Sequence, residues 1–155
     1  MNRVGPIAAI VLSLFAPCPA GGRLLQAWSY QELFDKSDFV AIAKVSDATR
    51  DTAERSNLPG IQPPDSLPVI GVVTEFQTRL VLKGSKLQRL ILHHCRLPES
   101  NIAIVNGPSF ISFDPKKNPR AYLLFVIREP DGRFAPVAGQ MDLDISVQEL
   151  KGIAE

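Results

Sequence analysis

Residues 69–83 constrain the fold more than any other stretch of the chain. Val72, Thr74, Phe76, Thr78, Leu80 and Leu82 fall on one side of an extended backbone, and Val73, Glu75, Gln77, Arg79, Val81 and Lys83 fall on the other, because successive side chains of a strand point to opposite faces. One side suits a core and the other is mostly wet. Gly71 near the start marks a bulge or bend at which such a strand can turn a barrel corner. Lys83-Gly84-Ser85-Lys86 is turn chemistry, and residues 87–97, Leu-Gln-Arg-Leu-Ile-Leu-His-His-Cys-Arg-Leu, return as the antiparallel partner. The expected spine is therefore a long hairpin.

The remaining elements are shorter. Residues 38–45 and 121–128 are apolar at nearly every position, as in strands covered on both sides. Residues 109–113 alternate as a short strand, and residues 133–137 form another whose Pro136 suits an edge. Glu129-Pro130-Asp131-Gly132 is a tight turn. Ser29 and Glu32 have capping-box spacing, with Trp28 and Leu33 placed as a hydrophobic staple, so a short helix opens near residue 30. Ser146 and Glu149 repeat that spacing and predict a closing helical turn over residues 146–150. Residues 46–68 are polar and then proline-rich, without helical or alternating apolar pattern, and are expected to form a long loop. The order describes a mainly β chain. A five-stranded, OB-like Greek-key barrel with a long curved second strand accommodates it, with a β-sandwich as the alternative.

A length of 155 residues, 45% apolar and 21% charged, fits one compact domain with a real core. Residues 1–20 read as a secretory signal. Arg3 gives a positive start, residues 7–16 are apolar, and Pro17 to Ala20 end the run with small residues, so cleavage is expected near residues 20–22. The apolar run is shorter than the roughly 18–20 residues a membrane span needs. Residues 23–155 then form the single exported domain, periplasmic or extracellular, and a monomer. Cleavage removes Cys18 and leaves Cys95 without an internal disulfide partner, so stability must come from burial and strand pairing. The 17 basic and 16 acidic residues nearly cancel, which gives no electrostatic footprint for nucleic acid or for an anionic membrane surface.

Candidate chemistry concentrates at His93, His94 and Cys95. On a strand, His93 and Cys95 share a face and His94 takes the other, so the three cannot close on one metal, and two ligands fall short of a zinc site. A Cys95 nucleophile with His93 as base would need converging side chains and a lowered thiol pKa. There is no Gly-x-Ser-x-Gly elbow, phosphate loop or dinucleotide fingerprint. Asp142 and Asp144 lie on one side if extended, without the glycine-spaced loop of a calcium site. No catalytic, cofactor or metal residue is expected.

Residues 38–45, residues 72–84 ending Val81-Leu82-Lys83-Gly84, and Tyr122-Leu123-Leu124-Phe125 together resemble the spaced pattern of exported bacterial proteins whose OB-like barrel is similar to the tissue inhibitors of metalloproteinases and the netrin-type module. The resemblance covers residues 37–139. It implies the barrel, and it implies a metalloprotease-inhibitor activity only for a chain that starts with a zinc-chelating cysteine. Cleavage near residues 20–22 leaves no such start. The function expected is non-catalytic binding of a protein or cell-envelope component. A metalloprotease-inhibitor-like protein and a metal- or thiol-dependent enzyme built on His93 and Cys95 are the alternatives.

Overall fold

The computed structural model describes residues 26–59, 66–98, 107–117 and 119–151. The expected signal at residues 1–20 lies outside them, as do residues 60–65 in the middle of the expected loop. In chain order the elements are α1 (Tyr30–Lys36), β1 (Phe39–Pro59), β2 (Ser66–Lys83), β3 (Arg89–Arg96), β4 (Ala121–Arg128), β5 (Phe134–Pro136), α2 (Leu143–Ser146) and β6 (Val147–Glu149). The chain is mainly β, as its alternation predicts. Among the described residues no helix is long and apolar enough to cross a membrane.

Five strands close a ring. β2 pairs antiparallel with β1 and with β3, β4 pairs antiparallel with β1 and with β5, and β3 meets β5 in parallel through Leu92 and Phe134. One edge of β4 is shared: β6 takes Tyr122 to Leu124 and β5 takes Val126 to Arg128. Inside the ring, Phe39, Ala41, Ala43 and Val45 of β1 meet Phe76, Leu90, Leu92, Tyr122, Leu124, Val126 and Phe134. The alanines keep β1 close to β4 and leave room for these rings. Burying each Phe or Leu contributes about 1.5–3 kcal/mol.

Outside the ring, α1 covers β1 and β4, with Leu33 packed on Val40 and Phe125, and Trp28 and Phe34 at the margin. The capping box forms as its spacing predicts: the Glu32 amide donates to Ser29 Oγ, and the Ser29 amide donates to the Glu32 carboxylate. The Lys36 ammonium sits 4.6 Å above the Trp28 ring.

Four sequence expectations need correction. Residues 46–68 are not a loop: β1 continues to Pro59 and β2 begins at Ser66, the two pairing out to Leu58–Leu67 and Pro59–Ser66. Residues 46–57 of this ribbon are mostly solvated on both faces and irregular in register, so no apolar alternation marks them. The core face of β2 also does not persist. Val72, Thr74 and Phe76 are buried, but β2 bulges at Arg79 and at Leu82 against β1 reverse the sides, so Val81 packs on the core while Leu80 and Leu82 are exposed.

Residues 109–113 form no ladder strand. Ser109 makes a single bridge to Asp142, and Phe113 enters the end of the ring, edge-on to Phe76, His94 and Tyr122. Finally, the helical turn is α2, which begins three residues earlier than expected, and Val147–Glu149 is a strand instead. The Ser146 hydroxyl accepts from the Ala138 amide rather than capping a helix, and the following residues fill the open edge of β4.

Gly71 is where the bend expected from its position becomes specific. Asp51 pairs with Val72 and Arg55 with Ile70, so Thr52, Ala53 and Glu54 of β1 stand opposite one residue of β2. They cross its face so closely that a Cβ on Gly71 would lie 2.9 Å from Glu54 Cβ and 2.9 Å from Thr52 Oγ1. The Thr52 hydroxyl donates to the Gly71 carbonyl at 2.9 Å, pinning the crossing. Gly71→Ala should therefore destabilise the fold by about 1–3 kcal/mol, measured by urea unfolding with an unchanged m-value. A change below about 0.5 kcal/mol would show that the crossing is looser than described.

Candidate functional site

The Thr52–Glu54 crossing carries Glu54 over β2 to β3, where it meets His93. His93 Nε2 lies 2.8 Å from Glu54 Oε2, and Nδ1 lies 2.9 Å from Glu129 Oε2. Glu129 opens the turn between β4 and β5, which also supplies Asp131 and Arg133. Arg133 Nη2 donates to Glu54 Oε1 at 2.9 Å and its Nε donates to Asp131 Oδ2 at 2.6 Å. The Asp131 carboxyl is held below its usual range, first by the Arg133 backbone amide. A second tie runs parallel: Arg96 Nε and Nη2 donate to the two Asp51 oxygens at 2.8 and 2.6 Å, a bidentate pair that lowers the Asp51 pKa. Together these contacts clasp β1 to β3 and to the β4–β5 turn.

The chemistry of the clasp follows from its geometry. The two carboxylates approach opposite edges of the His93 ring. Donors on opposite edges of an imidazole do not converge on one point. Among the described residues no group of three or more His, Cys, Asp or Glu side chains is placed to hold a metal.

His94 points inward, so the two histidines do divide between faces. Its Nε2 lies 2.8 Å from Thr74 Oγ1, which lies 2.7 Å from Thr49 Oγ1, and that hydroxyl accepts from the Phe113 amide at 2.8 Å. Nδ1 is buried without a hydrogen bond. Burial, and secondarily the charge of His93, push the His94 pKa down to about 4. Cys95 is buried with Leu67 and Val69 in a small satellite core beneath the β1–β2 ribbon. Its Sγ donates weakly to the Gln140 carbonyl at 3.7 Å, and burial raises its pKa to about 11, leaving an unreactive thiol at neutral pH. Asp142 occupies the residue before α2 and Asp144 its exposed first turn, so the shared side expected of an extended segment does not arise.

The sequence locates His93 but not its partners. Glu54 falls in the stretch read as a loop, Glu129 and Asp131 in one read only as a turn, and Arg133 at the start of a stretch read as an edge strand. No local pattern connects them, because the crossing at Gly71 is what brings them together. Beside the clasp lies an open groove of about 320 Å³ between Leu87, Ile91, Phe134 and Arg128, with Arg89 and Glu75 paired at its rim at 3.2 Å. The Arg128 guanidinium stacks 4.9 Å from the Phe134 ring. No protein-family model, curated protein or solved structure matches this chain.

Two outcomes are expected. Since His94 binds its proton less well folded than unfolded, its contribution is fully present above about pH 6.5 and is lost as pH falls toward 4, on the order of 3 kcal/mol. Urea unfolding near pH 7 and near pH 4.5 should show that loss in the native chain and a smaller one in His94→Leu; equal losses would refute the assignment. For the clasp, a double-mutant cycle of Glu54→Gln and Arg133→Gln should give a coupling of about 0.5–1 kcal/mol. Strict additivity would mean the pair is not formed in solution.

Proposed function

We propose that this chain is an exported, non-catalytic binding module whose partner is a protein or another component of the cell envelope, and that it acts as a monomer. The observation that carries this reading is the clasp itself. Its charged side chains are spent on one another across three chain segments, the one histidine near solvent is held between two carboxylates, and the one described thiol is buried and protonated. Such an arrangement suits a pre-organised recognition surface better than a reacting group, because a rigid face loses little freedom on binding. The near balance of charge favours neither nucleic acid nor a membrane surface.

The ring order supports reading the fold as a five-stranded, OB-like Greek-key barrel. β1, β2 and β3 form a meander, β4 returns to β1, and β5 closes the circuit against β3 in parallel. The three segments that resemble the inhibitor and netrin-type barrels become the start of β1, most of β2 and the middle of β4, all of which line the ring. The surface favoured for binding is the end of the β1–β2 ribbon, where Arg55, Ser56, Asn57, Pro68 and Pro98 border a groove of about 290 Å³.

The test is capture. The purified, immobilised chain should retain a specific component of a cell-envelope extract, and Ser56→Arg with Asn57→Arg should abolish retention while leaving the unfolding midpoint unchanged. Retention of nothing specific by the native chain overturns the binding reading. Unchanged retention by the variant overturns the assignment to the ribbon.

A further inference from the structure

β2 runs on past the end of β3. On one edge β1 follows it to Lys83, but on the other β3 ends its pairing at Gln77–Arg89, and the last bond on that side runs from the Thr78 amide to the Gln88 carbonyl. Among the described residues, 79–83 therefore pair on one edge only. An unpaired edge offers backbone donors and acceptors to an incoming strand.

Two apolar side chains of this edge face solvent beside its basic ones. Leu80 and Leu82 are 53% and 47% exposed, more than any other described Leu, Ile, Val or Phe. They reach solvent because the β2 bulges turn them out of the core, where the sequence alternation would otherwise have put them. Around them the charge has one sign. A depression of about 410 Å³ runs along the edge past Arg79, Leu80, Lys86 and Leu87, and no acidic side chain lines it. Among the described residues Arg79 and Lys86 make no ion pair, whereas the Lys83 ammonium is engaged by the carbonyls of Phe34 and Asp35 at 2.7 and 3.0 Å. Leu87 lines both this depression and the Arg128–Phe134 groove.

We propose that the open edge of β2 at residues 79–83 takes an extended, acidic peptide segment of a partner protein as an added strand. Backbone pairing supplies the docking, Leu80 and Leu82 receive apolar side chains of the segment, and Arg79 and Lys86 select acidic ones. A second copy of this chain is the poorer occupant. Two-fold pairing of the edge with itself would bring a uniformly basic surface against its own image, and like charges facing across strands are destabilising. The proposal rests on the binding reading and narrows the partner to a protein with an acidic, strand-forming segment.

The probe is a short capped peptide of alternating Glu and Val, compared with its Lys–Val counterpart and with a version N-methylated at alternate residues, titrated into the full 15N-labelled chain. The Glu–Val peptide should shift the amides of residues 78–86, bind at least about tenfold tighter than the Lys–Val peptide and lose binding on N-methylation. Arg79→Glu with Lys86→Glu should reverse the preference between the two peptides, and Leu82→Lys should weaken both. Equal affinity for the two peptides, shifts centred on other residues, or no binding would overturn the proposal. A dimer in sedimentation that Leu82→Lys dissociates would overturn it in favour of self-association. Because the envelope capture reads the ribbon end and this titration reads the β2 edge, failure here with capture intact removes the peptide site alone, and loss of both removes the binding reading.

Discussion

The approach of β1 to Gly71 is the constraint on which the rest of the outer face depends. Three residues of β1 stand opposite a single residue of β2, and they fit only because that residue has no side chain. Extra residues in one strand of a pair bend that strand and raise its twist. Here the bend carries Asp51 and Glu54 across the intervening strand, so that a residue of β1 reaches β3 without pairing with it. The ion pairs to Arg96 and His93 are consequences of that crossing, and the Thr52 hydroxyl on the Gly71 carbonyl fixes its depth.

The two faces of β3 show how position, rather than residue type, assigns a histidine its role. His93 and His94 are neighbours in the chain and opposite in every physical respect. His94 lies among Phe113, Thr74 and the ring interior, where desolvation disfavours charge and a chain of hydroxyls satisfies one nitrogen. His93 stands outside between two carboxylates, one at each ring nitrogen. The interior polar chain from Thr49 through Thr74 to His94 also ties the Phe113 segment to the strands of the ring. Thr49 bonds that segment in both directions, through its amide to the Phe113 carbonyl and through its hydroxyl to the Phe113 amide. A buried histidine thus does structural duty at the end of the ring, where a packed aromatic would leave the Thr74 hydroxyl with Thr49 but without its second partner.

What could be read from the sequence is what local chemistry decides. The β2–β3 hairpin, β4 and the α1 capping box are each specified by residues within a few positions of one another, and the structure places them where those residues predict. The β1–β2 ribbon could not be read. Ser46 to Asn57 owe their strand conformation to pairing with β2 and not to an apolar face, and Pro59 and Pro68 lie at its end, where few ladder bonds are lost. The sidedness of β2 after Gln77 was hidden for a related reason: each bulge advances the strand by one residue, which moves every later side chain to the other face. The segment spanning residues 109–113 has alternation but finds no partner strand, so Phe113 becomes a plug while Phe110 packs on the satellite core.

The candidate site was legible only in its centre. His93 was visible as one of two histidines, but Glu54 and Glu129 reach it from opposite ends of the chain through a crossing and a turn, and such convergence leaves no spacing to detect. It also alters what the histidine means. In isolation His93 beside Cys95 suggests a base and a nucleophile. In the folded chain the ring nitrogens face carboxylates while the thiol faces the Gln140 carbonyl, and Gln140 Nε2 donates to the His93 carbonyl at 3.2 Å. Gln140 thus bonds to both residues, to the thiol of one and to the backbone of the other. The same bulging that hides β2 from pattern reading leaves Leu80 and Leu82 in solvent, so the departures from ideal alternation build both surfaces, the clasped one and the open one. A regular barrel made from this composition would have buried those leucines and left Glu54 on the far side of β2.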